Sequence, residues 1–281
     1  MPLTGGRRLE LGARTLVMAV INITPDSFAE GSPSIDPARA LDLAQAAEAQ
    51  GADILDLGAE STRPGAAAVD ADEETGRLLP ALRAIVARTA LPVSVDTTKS
   101  AVARAALDEG AAIVNDISGL RYDPGLGEVV AAAGAGLVLM HMRGTSREMY
   151  RQASYADVGA EVCGELAESL AAAERAGVAR EATILDPGLG FAKRAEHSFE
   201  ILARLSELAA LDRPILVGSS RKSFLTRALG NVPPDARDWG TAATVAAAVL
   251  EGAHIVRVHA VGAMVQVVKA VDEVLRWKNR L

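Results

Sequence analysis

One cysteine, Cys163, is all the chain carries, so no intrachain disulfide and no cysteine-rich metal site is available to it. It falls among Val162, Leu166 and Leu170 at helical spacing, which reads as a half-buried thiol rather than a nucleophile. Aromatic residues make up 3% of the sequence, too few to build stacking platforms for single-stranded nucleic acid. An excess of positive charge is missing too: the formal net charge is −7, against general nucleic-acid binding. No apolar run approaches the ~20 residues that a membrane span needs. The first eight residues, Met1 to Arg8, contain no apolar core of a signal peptide. The expectation is a cytoplasmic protein that engages neither nucleic acid nor membrane. No His-x-x-x-His pair or carboxylate cluster has zinc spacing.

What is present is a repeated unit. A short, continuously apolar run is followed by a loop and then by an Ala/Leu-rich helical pattern. Such runs occur at Leu16 to Ile23, Ile54 to Leu57, Pro92 to Asp96, Ala112 to Ile117, Gly136 to Met142, Thr183 to Asp186, Pro214 to Gly218 and Ile255 to His259. Helical patterns follow from Asp36, about Asp72, Lys99, Pro124, Val158, Ala195, Arg221 with a second from Asp238, and Val261. Asp36-Pro37 is an N-cap followed by proline at the first helical position. Strands without polar alternation, each followed by a helix, imply a parallel sheet covered by helices. Eight units in 281 residues predict an α/β fold, a single (β/α)8 barrel domain over residues 1–281. A doubly wound open sheet is the alternative, but no linker or second domain is marked. Before the first strand, Arg8-Leu9-Glu10-Leu11, a turn at Gly12-Ala13-Arg14, and Thr15 to Val20 read as a short N-terminal β-hairpin.

An acidic chain that binds an anion must gather its cations locally. Ser219-Ser220-Arg221-Lys222-Ser223-Phe224 sits between an apolar strand and a helical pattern. Backbone N–H groups at a helix start, with Arg221 and Lys222 beside them, suit a phosphate or carboxylate. The competing reading is an ordinary βα turn with solvated cations. The strand C-termini carry Asn22, Asp56 with Glu60, Asp96, Asn115, His141, Asp186, the Ser220/Lys222 turn, and Arg257 with His259. Any one of these has a bland explanation, since a buried Asp or Asn often only satisfies backbone N–H groups. Nearly all eight strands supplying one is harder to explain that way. Asp96, Asn115 and Asp186 accept hydrogen bonds from an N–H-rich planar edge, such as an amino-pyrimidinone ring. Arg63, Lys222, Arg257 and His259 suit phosphate or pyrophosphate. A Mg²⁺ held mostly by phosphate oxygens and water needs only one or two protein oxygens, which Asn22 and Asp26 can supply.

The motifs Asn22-Ile23-Thr24-Pro25-Asp26-Ser27-Phe28, Glu60-Ser61-Thr62-Arg63-Pro64-Gly65, Ser94-Val95-Asp96-Thr97, Val114-Asn115-Asp116-Ile117, Leu185-Asp186-Pro187-Gly188-Leu189-Gly190-Phe191, Ser220-Arg221-Lys222-Ser223-Phe224 and Arg257-Val258-His259 occur in one order along the chain. Together they resemble the bacterial dihydropteroate synthase family. The resemblance implies a single barrel, usually a homodimer. It implies joining 6-hydroxymethyl-7,8-dihydropterin pyrophosphate to p-aminobenzoate for folate synthesis. By motif, Asp96, Asn115, Met140, Asp186 and Lys222 hold the pterin. Arg257, His259 and Asn22 take the pyrophosphate with Mg²⁺, and Thr62 and Arg63 close over it. Phe191, Pro64, Lys222 and Ser223 shape the p-aminobenzoate pocket, which sulfonamides occupy in the family. The resemblance therefore gives Arg63, Lys222, Arg257 and His259 catalytic roles. Two positions depart from the pattern: Ala260, where the family commonly has aspartate, and Ala59, where glycine is usual. A pterin-binding paralogue without turnover, and a methyltetrahydrofolate:corrinoid methyltransferase, are the alternatives.

Overall fold

The structure is a computed structural model that describes residues 1–23, 36–61 and 69–278. Eight parallel strands run in the order β6-β5-β4-β3-β2-β1-β8-β7. They are β1 (Leu16–Asn22), β2 (Ile54–Gly58), β3 (Val93–Asp96), β4 (Ile113–Asp116), β5 (Gly136–Met140), β6 (Thr183–Asp186), β7 (Leu216–Val217) and β8 (Ile255–Val258). One parallel bridge, Leu185 to Ile215, brings the two ends of the sheet together, and Leu185 N–H donates to Pro214 O at 2.9 Å. The predicted (β/α)8 barrel is the observed fold.

Helices cover the outside: α1 (Pro37–Ala49), α2 (Ala71–Val86), α3 (Ser100–Asp108), α4 (Gly125–Ala133), α5 (Val158–Arg175), α6 (Ala195–Ala203), α7 (Thr226–Leu229), α8 (Asp238–Leu250) and α9 (Val261–Lys278). Their starts follow local chemistry. Asp36, Asp70 and Asp157 each accept a hydrogen bond from a first-turn backbone N–H, at 3.0, 2.8 and 3.0 Å.

Side chains alternate across each strand, and the two faces have different fates. Outward residues such as Val17, Leu55, Val95, Val114, Leu139, Leu185, Val217 and Val256 join the helices in the main core. Inward residues at the strand starts form a second apolar cluster that fills the barrel: Met18, Ile54, Ile113, Val138, Ile184, Leu216 and Ile255.

Leu3 and Leu9 belong to that inner cluster, which corrects the N-terminal hairpin. No strand forms over Arg8 to Leu11, and among the described residues β1 pairs only with β2 and β8. The antiparallel pairing lies earlier, between Pro2 and Arg8, around a 3-10 turn at Thr4–Gly6. Leu9 and Leu11 look like alternate strand residues, but the open bottom of the barrel offers apolar surface to cover, and they serve as its plug. Leu9→Ala is expected to lower stability by roughly 2 kcal/mol, since Leu9 is 8% exposed. Chemical unfolding checks this through a lower midpoint at unchanged slope.

Candidate active site

Two residues beyond the inner apolar cluster, the same inward face changes character. Ile54 is followed by Asp56, Ile113 by Asn115, Val138 by Met140, Ile184 by Asp186, Leu216 by Gly218 and Ile255 by Arg257. On β3 the inward pair is Ser94 and Asp96, and on β1 the inward face ends at Asn22. The period-two geometry of a strand therefore lifts one polar layer directly above an apolar one. That layer lies at the C-terminal mouth, where barrel enzymes carry their sites.

Arg257 ties this layer together. Its Nε donates to Asp56 Oδ2 at 2.6 Å and its Nη2 to Asp96 Oδ2 at 2.9 Å. Asn115 Nδ2 donates to the same Asp56 oxygen at 3.3 Å. Asp56 is fully enclosed, yet its Oδ1 and the neighbouring Ser94 Oγ have no hydrogen-bond partner among the described residues. A buried acceptor left this way is costly unless a ligand N–H meets it. Burial pushes Asp96 up to about 7 against the pull of Arg257, and the nearby Asp56 carboxylate pushes the same way. A cavity of about 360 Å³, room for a bicyclic ring, opens beside Asp96, walled in part by Thr97, Ile117 and Tyr122.

Asp186 ends β6, three strands along the sheet from Asp96. It is 4% exposed, and its Oδ1 accepts from Gly188 N–H at 2.7 Å. Burial raises its carboxyl above the ordinary range, while Lys222 and Arg257 pull it back. Lys222 Nζ donates to Leu189 O at 2.7 Å and lies 4.5 Å from the centre of the Phe191 ring. Burial brings Lys222 down to about 8, although Asp186 favours its charge. Gly218 keeps the centre open. A Cβ there would stand 3.7 Å from Lys222 Nζ, 3.8 Å from Arg257 Cβ and 4.0 Å from Asp186 Oδ2. Acceptors and cations thus share one mouth within contact distance. Met140 pairs in register with Asp186, and its side chain packs with Ile117, Met142 and Phe191 on the same side.

This architecture is matched by the model of a known family, described as pterin binding enzyme, across residues 18–259. The chain belongs to the pterin-binding enzyme family. A Synechocystis protein named dihydropteroate synthase is 43% identical over 276 residues, 98% of this chain and 96% of that one. A solved Xanthomonas albilineans dihydropteroate synthase with 4-aminobenzoic acid superposes with a TM-score of 0.90 at 40% identity, covering 98% of both chains. A Yersinia pestis dihydropteroate synthase solved with a sulfonamide drug gives a TM-score of 0.91 at 39% identity, covering 97% of this chain and 98% of that one.

Within this pterin-binding enzyme, the sequence-derived residues fall into four groups. Asp96, Asn115, Asp186, Lys222, Arg257, Met140 and Phe191 gather as described. His259 and Asn22 stand at the rim. Ser220 holds His259 at two points: it accepts from His259 N–H at 3.2 Å, and its Oγ lies 2.9 Å from Nδ1. Ser220 thus orients the ring where Ala260 offers no carboxylate. Ser223 is exposed beside Lys222. Thr62, Arg63, Pro64 and Asp26 lie outside the described residues. Ala59 is not at positive φ, so its backbone does not require the glycine usual in the family.

The anion-binding helix start at Ser219 to Phe224 needs correction. Only a 3-10 turn (Ser223–Leu225) and the four-residue α7 follow Lys222, because Gly230 and the prolines after it end the segment. Arg221, at φ 60°, sends Nε and Nη2 to Asp238 at 2.8 Å each and so does not face an incoming anion. Positive charge at the mouth comes instead from Lys222 and from Arg257 on the next strand. Asp56, which the sequence places at a strand end without giving it a role, is the hub. Its signal was the acid inside Leu55-Asp56-Leu57, two residues after an inward isoleucine. Asp116, the last residue of β4, has no such role. Its oxygens accept from Ser118 and Leu120 N–H, so it only shapes a turn.

Proposed function

We infer that this chain condenses 6-hydroxymethyl-7,8-dihydropterin pyrophosphate with p-aminobenzoate, giving 7,8-dihydropteroate and pyrophosphate, the reaction of a dihydropteroate synthase. The observation that carries this is the shared mouth: enclosed acceptors at Asp96, Asn115 and Asp186 beside the cations of Lys222 and Arg257. The first set suits the N–H edge of a pterin, and the second suits its anionic tail. Relatives named dihydropteroate synthase, solved with 4-aminobenzoic acid and with 7,8-dihydropteroate, support the same reading.

The chemistry needs leaving-group stabilisation more than a strong base. An arylamine is neutral at pH 7, so attack requires no prior deprotonation. Cations around the pyrophosphate stabilise the charge that develops as it leaves. Arg257 Nη1 makes no hydrogen bond among the described residues and suits this role, and His259 is oriented at the rim for the same task. An electron-rich pterin bears the positive charge on its exocyclic carbon, which favours dissociative displacement. No group of three or more His, Cys, Asp or Glu among the described residues is placed to hold a metal ion. Asn22, at the end of β1, fits the different need of a Mg²⁺ carried on phosphate oxygens and supplemented by one protein oxygen. Bound there, Mg²⁺ would supply further neutralisation of the departing group.

Pyrophosphate release with both substrates present tests the function. Background release from a chain that binds pterin would favour a ring-binding paralogue without turnover. Methyl transfer from methyltetrahydrofolate to a corrinoid would favour the methyltransferase. The pH dependence of kcat/KM for the pterin substrate is expected to be bell-shaped, since it reports groups of the free enzyme. It should rise as pH passes about 7, where Asp96 ionises and becomes an acceptor. It should fall as pH passes about 8, where Lys222 loses its proton. In Asp96→Asn the acid limb should flatten while the alkaline limb stays.

A homodimer in the cytoplasm completes the reading. No helix among the described residues is long and apolar enough to cross a membrane. Four large apolar side chains are exposed on the adjacent helices α8 and α9: Trp239 at 88%, Leu250 at 46%, Val274 at 58% and Trp277 at 58%. Such a surface is suited to a second copy of the chain. Analytical ultracentrifugation should give twice the chain mass, 29.1 kDa.

A further inference from the structure

Gly188 to Lys193 crosses the barrel mouth on an unusual backbone. φ is positive at Gly188, Gly190 and Ala192, at 68°, 80° and 47°. Alanine is disfavoured there, because its Cβ crowds the following carbonyl. A residue stays in such a conformation only where its surroundings over-determine it. Here many of the backbone polar groups have a holder. Gly188 N–H donates to Asp186, Leu189 O accepts from Lys222, and Gly190 N–H donates to Ser198 Oγ. Phe191 O accepts from Lys193 Nζ at 3.2 Å, and Ala192 O accepts from Tyr155 Oη at 2.9 Å.

Lys193 is the unexpected member. It is 1% exposed, the largest fully enclosed side chain among the described residues. Enclosing an amine is costly, and its hydrogen bonds go to no carboxylate. Beyond Phe191 O, Nζ lies 2.7 Å from His141 Nδ1. His141 is itself enclosed, and burial brings it down to about 4, so the ring is neutral at working pH and Nδ1 can accept. Nε2 lies 3.1 Å from Glu165 Oε2, and Glu165 accepts from Arg143 Nε at 2.8 Å. The Arg143 guanidinium stands 4.1 Å from the centre of the Tyr155 ring. Tyr155 then returns to Ala192 O. The contacts close on themselves: Phe191-Ala192, Lys193, His141, Glu165, Arg143, Tyr155 and back to Ala192. This ring meets the backbone of that segment at two points, Phe191 O and Ala192 O. What it grips is the peptide that carries Phe191, whose aromatic face lies against Lys222.

We propose that Lys193 is a positioning residue for the arylamine: through its bond to Phe191 O and its brace on His141, it fixes the Phe191 ring over Lys222 and so sets the p-aminobenzoate half of the site. This rests on the synthase reading above. It separates Lys193 from Asp96, Asn115 and Asp186, which serve the pterin half. A different role for Lys193, lending charge to Asp186, would act on pterin binding instead.

Lys193→Met keeps the length of the side chain and removes its donors. KM for p-aminobenzoate is expected to rise at least tenfold. The Kd for pterin pyrophosphate, measured by calorimetry, should stay within twofold, and kcat at saturating p-aminobenzoate within about threefold. A Kd that weakens as much as KM rises, or a KM that does not move, overturns the proposal. A purely structural lysine would lower the melting temperature without this split between KM and Kd. Should Lys193→Met fail to fold, Tyr155→Phe deletes one hydroxyl from the same ring. There KM should rise about threefold with the same pterin Kd, and an unmoved KM overturns the proposal. Wild-type pyrophosphate release is measured first. Its absence fails the synthase reading and takes the inference with it, whereas normal release with unmoved KM in the variants fails the inference alone.

Discussion

Arg257→Ala is expected to reduce pyrophosphate release about a thousandfold or more and to cost about 3–5 kcal/mol of stability, the usual loss when one member of a buried ion pair is removed. The reason lies in what the guanidinium separates. Asp56 has 0% side-chain exposure and Asp96 10%, and Arg257 is the cation bonded to both. Without it, two enclosed carboxylates stand together, and Asp96, already raised to about 7, is pushed further up and holds its proton. Arg257→Lys should recover little of either loss, because an ammonium is a point charge without the planar fork that reaches both acids. Adding Asp56→Asn to Arg257→Ala should restore part of the stability and none of the turnover. Denaturant unfolding and the release assay read the two effects separately. An Arg257→Ala protein as stable as wild type would mean that the acids are neutralised some other way and that Arg257 is not the hub's counter-charge.

The site was legible where strand geometry controls it. An inward residue is followed two positions later by another, so an apolar filling at Ile54, Ile113, Ile184 and Ile255 predicts where Asp56, Asn115, Asp186 and Arg257 must point. The closed barrel then brings those strand ends together, and no side-chain detail is needed to expect a polar mouth. What could not be read was which cation meets which acid. Arg221 and Lys222 are neighbours in sequence with equal formal charge. They part because Arg221 takes a positive φ and turns to Asp238, while Lys222 faces Asp186. Lys193 was missed for a related reason. A lysine after Phe191-Ala192 reads as solvated, and only the close approach of the segment between β5 and α5 places His141 and Tyr155 around it. The N-terminal residues failed differently. Alternation at Leu9 and Leu11 signals a strand, but an open barrel end competes for the same apolar side chains and wins.

Asp186→Ala is expected to remove measurable pterin binding. Three losses coincide. Ring N–H groups that Asp186 would accept from are left unpaired, at about 1–3 kcal/mol each. Gly188 N–H loses its acceptor, so the turn that begins the Phe191 loop is loosened. Lys222 loses the carboxylate that most favours its charge, so its proton should leave below the present value of about 8. Asp186→Asn separates these contributions. The amide oxygen can still accept from Gly188 N–H, and the side chain keeps its shape, but the charge is gone. If the charge matters mainly through Lys222, the Asn variant should bind pterin weakly and show its alkaline limb shifted to lower pH. If acceptance from the ring matters most, it should bind weakly even at pH 6, where Lys222 keeps its proton. Calorimetry with the pterin substrate across pH 6 to 9 distinguishes them. Unchanged affinity in Asp186→Ala would take Asp186 out of the site, and the pterin would then have to be held by Asp96 and Asn115 alone, on the side of the barrel away from Lys222.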